Sequence, residues 1–109
     1  MKLSELMEAT DTKASEEFDA LFCSLPLVDA SVGEIVSEHC YYDGPCSGEV
    51  AHDGRNLYFH WWWTDSNNHR QFVLVEASAA EIAAVIQARD LGQVVEILGH
   101  REIVGRWAW

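Results

Sequence analysis

The chain has 109 residues, 49% of them hydrophobic and 23% charged, with a formal net charge of −11. That length suits one domain with its own core; twelve aromatic residues argue against a disordered chain, and no apolar run approaches the roughly 20 residues of a membrane-spanning helix. Twelve acids and two lysines give residues 1–53 a net −10, against −1 for residues 54–109, so direct contact of the first half with nucleic-acid phosphate is disfavoured.

Residues 2–9 predict a short helix. Asp11 or Thr12 can cap a second one over about 13–24, where Phe18, Leu21, Phe22 and Leu25 make one apolar stripe. Glu16 and Glu17 suit the positive end of its dipole, and Pro26 stops it. Val28–His39 reads two ways: Ser31 can cap a short helix, while Ile35 and Val36 serve equally in a strand.

Asp43-Gly44-Pro45 is a turn, Cys46–His52 a strand, and Asp53-Gly54 a hairpin signal. Asn56–Trp63 follows as an aromatic strand. Period two places Leu57, Phe59, Trp61 and Trp63 on one face and Tyr58, His60 and Trp62 on the other. Arg70–Glu76 is the return strand, apolar enough for cover on both faces. Ser78-Ala79-Ala80-Glu81 is a capping box opening a helix, Asp90 can cap another that Gly99 ends, and Arg101–Trp109 alternates as a last strand. The fold class is α+β: N-terminal helices, an antiparallel three-strand meander, two short helices and a C-terminal strand. Residues 1–109 form a single domain, with a mainly helical acidic segment over 1–40 and a sheet-plus-helices core over 41–109.

Tyr42-Asp43-Gly44-Pro45, the aromatic strand, Phe72–Val75 and the Ser78–Glu81 step together resemble a small bacterial domain family of uncharacterised function, over about residues 41–98. The resemblance implies the meander and the capped helix. It brings no catalytic residues.

His39, Cys40, Cys46 and His52 are the ligand types zinc prefers, but their spacing is not that of a finger or ribbon, so the candidate rests on residue type alone. Any Cys-His pair for nucleophilic catalysis would form in space rather than in sequence. Cys23, beside Phe22 on the amphipathic helix, reads as packing. There is no phosphate-binding glycine pattern, and no cofactor is implied. Trp62 is either core or, if exposed, an anchor for a partner. A base-stacking platform on the aromatic strand would need Arg55, Arg70, Arg101 or Arg106 nearby.

Glu5 and Glu8 fall where a signal peptide would be apolar. The expectation is therefore a cytoplasmic protein with free thiols at Cys23, Cys40 and Cys46. With no catalytic signature, the expected function is a non-enzymatic acidic interaction protein. Its partner would be a basic surface of a nucleic-acid-handling protein complex, and not nucleic acid or a membrane. Glu5, Glu8, Asp11, Glu16, Glu17, Asp19, Glu34, Glu38, Asp43 and Trp62 would make the contact. Immunity-type proteins and phage-encoded inhibitors such as anti-CRISPR proteins are analogous in size and charge. The alternatives are a small metal- or thiol-dependent enzyme or sensor using His39, Cys40, Cys46 and His52, and a structural subunit that homodimerises.

Overall fold

A computed structural model describes residues 1–28, 34–41 and 45–108. Two helices come first, α1 (Leu3–Thr12) and α2 (Ser15–Cys23). Leu3, Leu6 and Ala9 are the buried stripe of α1, and Phe18 and Phe22 that of α2, at the three- and four-residue spacing that puts side chains on one helical face. Neither Asp11 nor Thr12 caps α2. Both lie inside α1, where Thr12 Oγ1 donates to the Glu8 carbonyl at 2.8 Å, and Ala14 holds the N-cap without a side-chain bond. The helix closes before Pro26: the Ser24 N–H already donates to the Ala20 and Leu21 carbonyls.

Among the described residues five strands follow: β1 (Glu34–Tyr41), β2 (Pro45–His52), β3 (Arg55–Thr64), β4 (Arg70–Glu76) and, after two further helices, β5 (Ile103–Ala108). They form one antiparallel sheet in sequence order. The meander thus has four strands before the helices, not three. Ile35 and Val36 resolve to strand, and among the described residues of the first 40 the last helix ends at Cys23; Ser31 lies outside the described residues. Asp53 and Gly54 have φ of 49° and 73°, the left-handed pair that a tight two-residue hairpin turn requires.

Helices α3 (Ala79–Ile86) and α4 (Leu91–Leu98) are capped as their sequence demands. The Ser78 N–H donates to Glu81 Oε1 at 2.9 Å and the Glu81 N–H to Ser78 Oγ at 3.2 Å. Asp90 Oδ1 accepts from the Gln93 N–H at 2.9 Å. Glu81 also pairs with the Arg101 guanidinium. That guanidinium, followed by the Ser78 amide, pulls the Glu81 carboxyl down to about 2.

The sheet is covered on both faces, by different means. On one face all four helices pack: Leu3, Leu6, Phe18, Phe22, Val85, Val94 and Leu98 meet Tyr58, Trp62, Val73 and Val75. The other face carries Val50, Leu57, Phe59, Phe72, Leu74 and Trp107 with Val28, joined by Ile35, Trp61 and Val104. Among the described residues no helix contributes there, yet Leu57, Phe59, Phe72 and Leu74 are fully buried. Every strand supplies a side chain to this face. Phe59, Phe72 and Trp107 form the centre, with ring centroids 5.2–5.3 Å apart. Each such buried side chain contributes roughly 1.5–3 kcal/mol.

Among β3, β4 and β5, strict alternation fails at two bulges. Trp61 pairs with Phe72 and Trp63 with Gln71, so Trp62 is an extra residue. Trp63 therefore leaves the face of Leu57 and Phe59 and packs edge-on against Phe18 and Phe22, at 5.9 Å. In β5, Leu74 pairs with Gly105 and Val75 with Ile103. Ile103 accordingly joins the helix-covered core while Val104 and Trp107 join the other.

The N-terminal segment is tied to β5 twice. Lys2 bridges Glu102, and Leu27 bridges Arg106 in parallel. Val28 N–H donates to the Arg106 carbonyl and Arg106 N–H to the Pro26 carbonyl, both at 2.8 Å.

Candidate functional site

A cleft of about 290 Å³ opens between the β1–β3 end of the sheet and the α3–α4 pair. Its floor is Ser47, Tyr58 and His60, its far wall Val85, Leu91 and Val94, and its mouth carries His39, Cys40 and Cys46. The last three are gathered by irregular pairing. Glu38 pairs with Gly48 and Cys40 with Ser47, which makes His39 an extra residue in β1. Tyr41 then pairs with Pro45, which makes Cys46 an extra residue in β2. Regular strands would send His39 and Cys46 to the face opposite Cys40 and Ser47; each bulge re-aims one of them.

His60 is partly buried, and desolvation lowers its imidazole to about 4. It is neutral at pH 7 and hydrogen-bonded to Tyr58, with Oη and Nδ1 2.7 Å apart. Burial raises the Tyr58 hydroxyl above its usual range, so the phenol keeps its proton. His39 stacks on Tyr58 with ring centroids 5.9 Å apart, and its Nε2 stands 3.8 Å from Glu49. Only 8% of its side chain is exposed, and its Nδ1 has no hydrogen-bond partner among the described residues. Arg70 closes the group: its guanidinium lies 4.0 Å over the Trp61 ring and Nη1 donates to Cys46 Sγ at 3.5 Å.

Three of the four candidate metal ligands thus meet at the cleft. The fourth does not: His52 lies at the other end of β2, with Nε2 3.3 Å from Asp53. Among the described residues no three His, Cys, Asp or Glu side chains form a metal-sized cluster, so the four-ligand zinc candidate does not assemble. Cys23 is exposed on α2, its thiol donating to Asp19 Oδ1 at 3.3 Å, and is not core packing.

Trp62 is corrected as a partner anchor. Only 9% of it is exposed, and Nε1 donates to Thr10 Oγ1 at 3.0 Å. The acids on α1 and α2 are exposed: Glu5, Glu8, Asp11, Glu16, Glu17 and Asp19. Glu5 takes the Lys2 N–H at 3.1 Å and Asp19 the Cys23 thiol, while Glu8, Asp11, Glu16 and Glu17 have no side-chain partner among the described residues. Glu34 and Glu38 are placed only as backbone positions of β1, and Asp43 lies outside the described residues. In the second half, by contrast, Asp65 takes the Gln71 amide and the Asn67 and His69 N–H groups, Glu76 pairs with Arg55, and Glu81 with Arg101 and His100.

Sequence reasoning missed Tyr58, His60 and Arg70 as site residues. Gly48, inside a strand, was the signal that β2 pairs irregularly. No protein-family model, curated protein or solved structure matches the chain. Among the described residues no helix is long and apolar enough to cross a membrane.

Proposed function

We propose that the chain is a non-enzymatic binding protein that engages a basic protein surface through α1 and α2. The carrying observation is the contrast in charge pairing. Five of the six carboxylates after residue 53 (Asp65, Glu76, Glu81, Asp90 and Glu102) are tied to arginines, histidines, amides or the terminal amine, Glu96 being the exception, whereas Glu8, Asp11, Glu16 and Glu17 stand exposed and unpaired among the described residues on adjoining helices. Desolvating such groups against lysine or arginine forms charge-assisted bonds that the free protein lacks. A basic surface that ordinarily holds nucleic acid offers those cations at high density. Occupying it would make the protein an inhibitor by occlusion, in the manner of immunity-type or anti-CRISPR proteins.

The test is affinity capture from nuclease-treated host lysate, comparing the wild-type chain with a variant carrying Glu8→Gln, Asp11→Asn, Glu16→Gln and Glu17→Gln. The expected result is a partner held by the wild type, released by salt and by added nucleic acid, and bound at least roughly tenfold more weakly by the variant. A partner held equally by both proteins, or indifferent to salt, defeats the reading.

A further inference from the structure

The mouth of the cleft holds two thiols on adjacent strands. Cys40 is exposed and Cys46 partly so. The extra residue in β2 turns Cys46 to the side of Cys40 and Ser47, and all three line one cavity. The two thiols are close enough to interact: after burial, the charge and hydrogen bonding of Cys46 raise the Cys40 thiol. Only residues 41–45 separate them in sequence, so closing a bond between them confines one short connection and leaves the rest of the sheet register alone. Arg70 places Nη1 as a donor on Cys46 Sγ at 3.5 Å.

We infer that Cys40 and Cys46 form a reversible redox pair, a dithiol that low-molecular-weight disulfides such as oxidised glutathione convert to an intramolecular disulfide at the cleft mouth. The thiolate of Cys46 attacks one sulfur of glutathione disulfide; a Cys46–glutathione bond forms and one glutathione thiolate leaves. The Cys40 thiolate then attacks the Cys46 sulfur, closing the protein disulfide and expelling the second glutathione. The two thiol protons end on the two glutathiones, and two electrons pass from the protein to glutathione disulfide. Cys23 has no thiol neighbour among the described residues and takes no part. The pair is independent of the acidic helices, so it stands whether or not they bind a basic partner.

The experiment uses the full chain with Cys23→Ser, equilibrated in glutathione buffers of graded potential, quenched by alkylation and weighed by intact-mass spectrometry. The expected product has lost two hydrogens, appears in one two-electron transition and yields linked fragments on cleavage at Asp43. In the same background, Cys40→Ser is expected to accumulate a glutathione adduct on Cys46 faster than Cys46→Ser accumulates one on Cys40, because only Cys46 has Arg70 beside it. Circular dichroism of each variant checks the fold, and the Cys23→Ser result stands without the other two. Two glutathione adducts on the Cys23→Ser chain, disulfide-linked dimers, or two free thiols at every potential would each overturn the inference. So would a faster reaction at Cys40.

Discussion

Trp62 is held by a hydrogen bond as well as by packing, because its indole N–H reaches Thr10 across the interface of β3 and α1. Replacing it with Phe keeps most of the apolar contact and strips the donor, so a loss of about 1–2 kcal/mol is expected in urea unfolding. Trp62→Ala removes the ring and is expected to cost about 3–5 kcal/mol. A loss below 0.5 kcal/mol for Ala would contradict the burial. His60 gives the chain an acid sensitivity with a definite sign. Its folded value of about 4 lies below the ordinary histidine value of 6.5, so between those limits the unfolded chain binds a proton that the folded chain refuses. Stability from this group is present above pH 6.5, declines as pH falls toward 4, and levels off once the folded-state ring protonates. His60→Gln keeps a hydrogen-bonding group for Tyr58 and is expected to flatten that decline in unfolding free energies measured across the window. Glu81, drawn down to about 2, loses its contribution only below about pH 4.5, so the two effects separate on the pH axis.

At the scale of elements, the bulges matter more than the strands. Gly48 pairs with Glu38 at one of them, and a Cβ there would fall on the Ser37 carbonyl and within 3.0–3.1 Å of the Phe59 ring. Gly48→Ala is therefore expected to destabilise by about 1–3 kcal/mol and to loosen the β1–β2 pairing. Hydrogen exchange should show faster exchange in β1 and β2 with β4 unchanged. Much of the element order was legible beforehand: Asp53-Gly54 marked its hairpin, Ser78 and Glu81 their helix, and Phe72–Val75 a strand covered on both faces. β1 was not, because Ile35 and Val36 suit either state and only pairing with Val50 and Glu49 decides it. The cleft was half legible. His39, Cys40 and Cys46 were noticed by residue type, but their convergence depends on two extra residues that period-two reasoning has no means to place. Three consecutive tryptophans were a hint of a third, since Trp63 gains its aromatic partners on α2 only by breaking alternation.

For the whole molecule, the −11 charge is concentrated where it is least compensated. Self-repulsion among the exposed acids of α1 and α2 opposes keeping them on one small body, and dissolved salt screens it. Raising sodium chloride from about 0.01 M, where the screening length is roughly 30 Å, toward 0.5 M is expected to increase urea stability by roughly 1 kcal/mol. Replacing Glu8, Asp11, Glu16 and Glu17 by their amides should remove much of that dependence. A wild-type stability that falls with salt would show that attraction dominates the surface instead.

The two bridges to β5 also carry a consequence for biosynthesis. Lys2 and Leu27 close on Glu102 and Arg106, so the acidic helices leave the ribosome long before the strand that holds them has been made. Strands β2 to β4 each find a neighbour just upstream and can pair as they emerge, whereas α1 and α2 must wait for β3 and β4, which their apolar stripes cover, and for β5, which ties the segment down. Until then their apolar stripes, Leu3 to Ala9 and Phe18 to Phe22, lie open to chaperones. A chain cut before Ile103 lacks that tie and the cover β5 gives β4, and is expected to bind a hydrophobic dye that the full chain excludes.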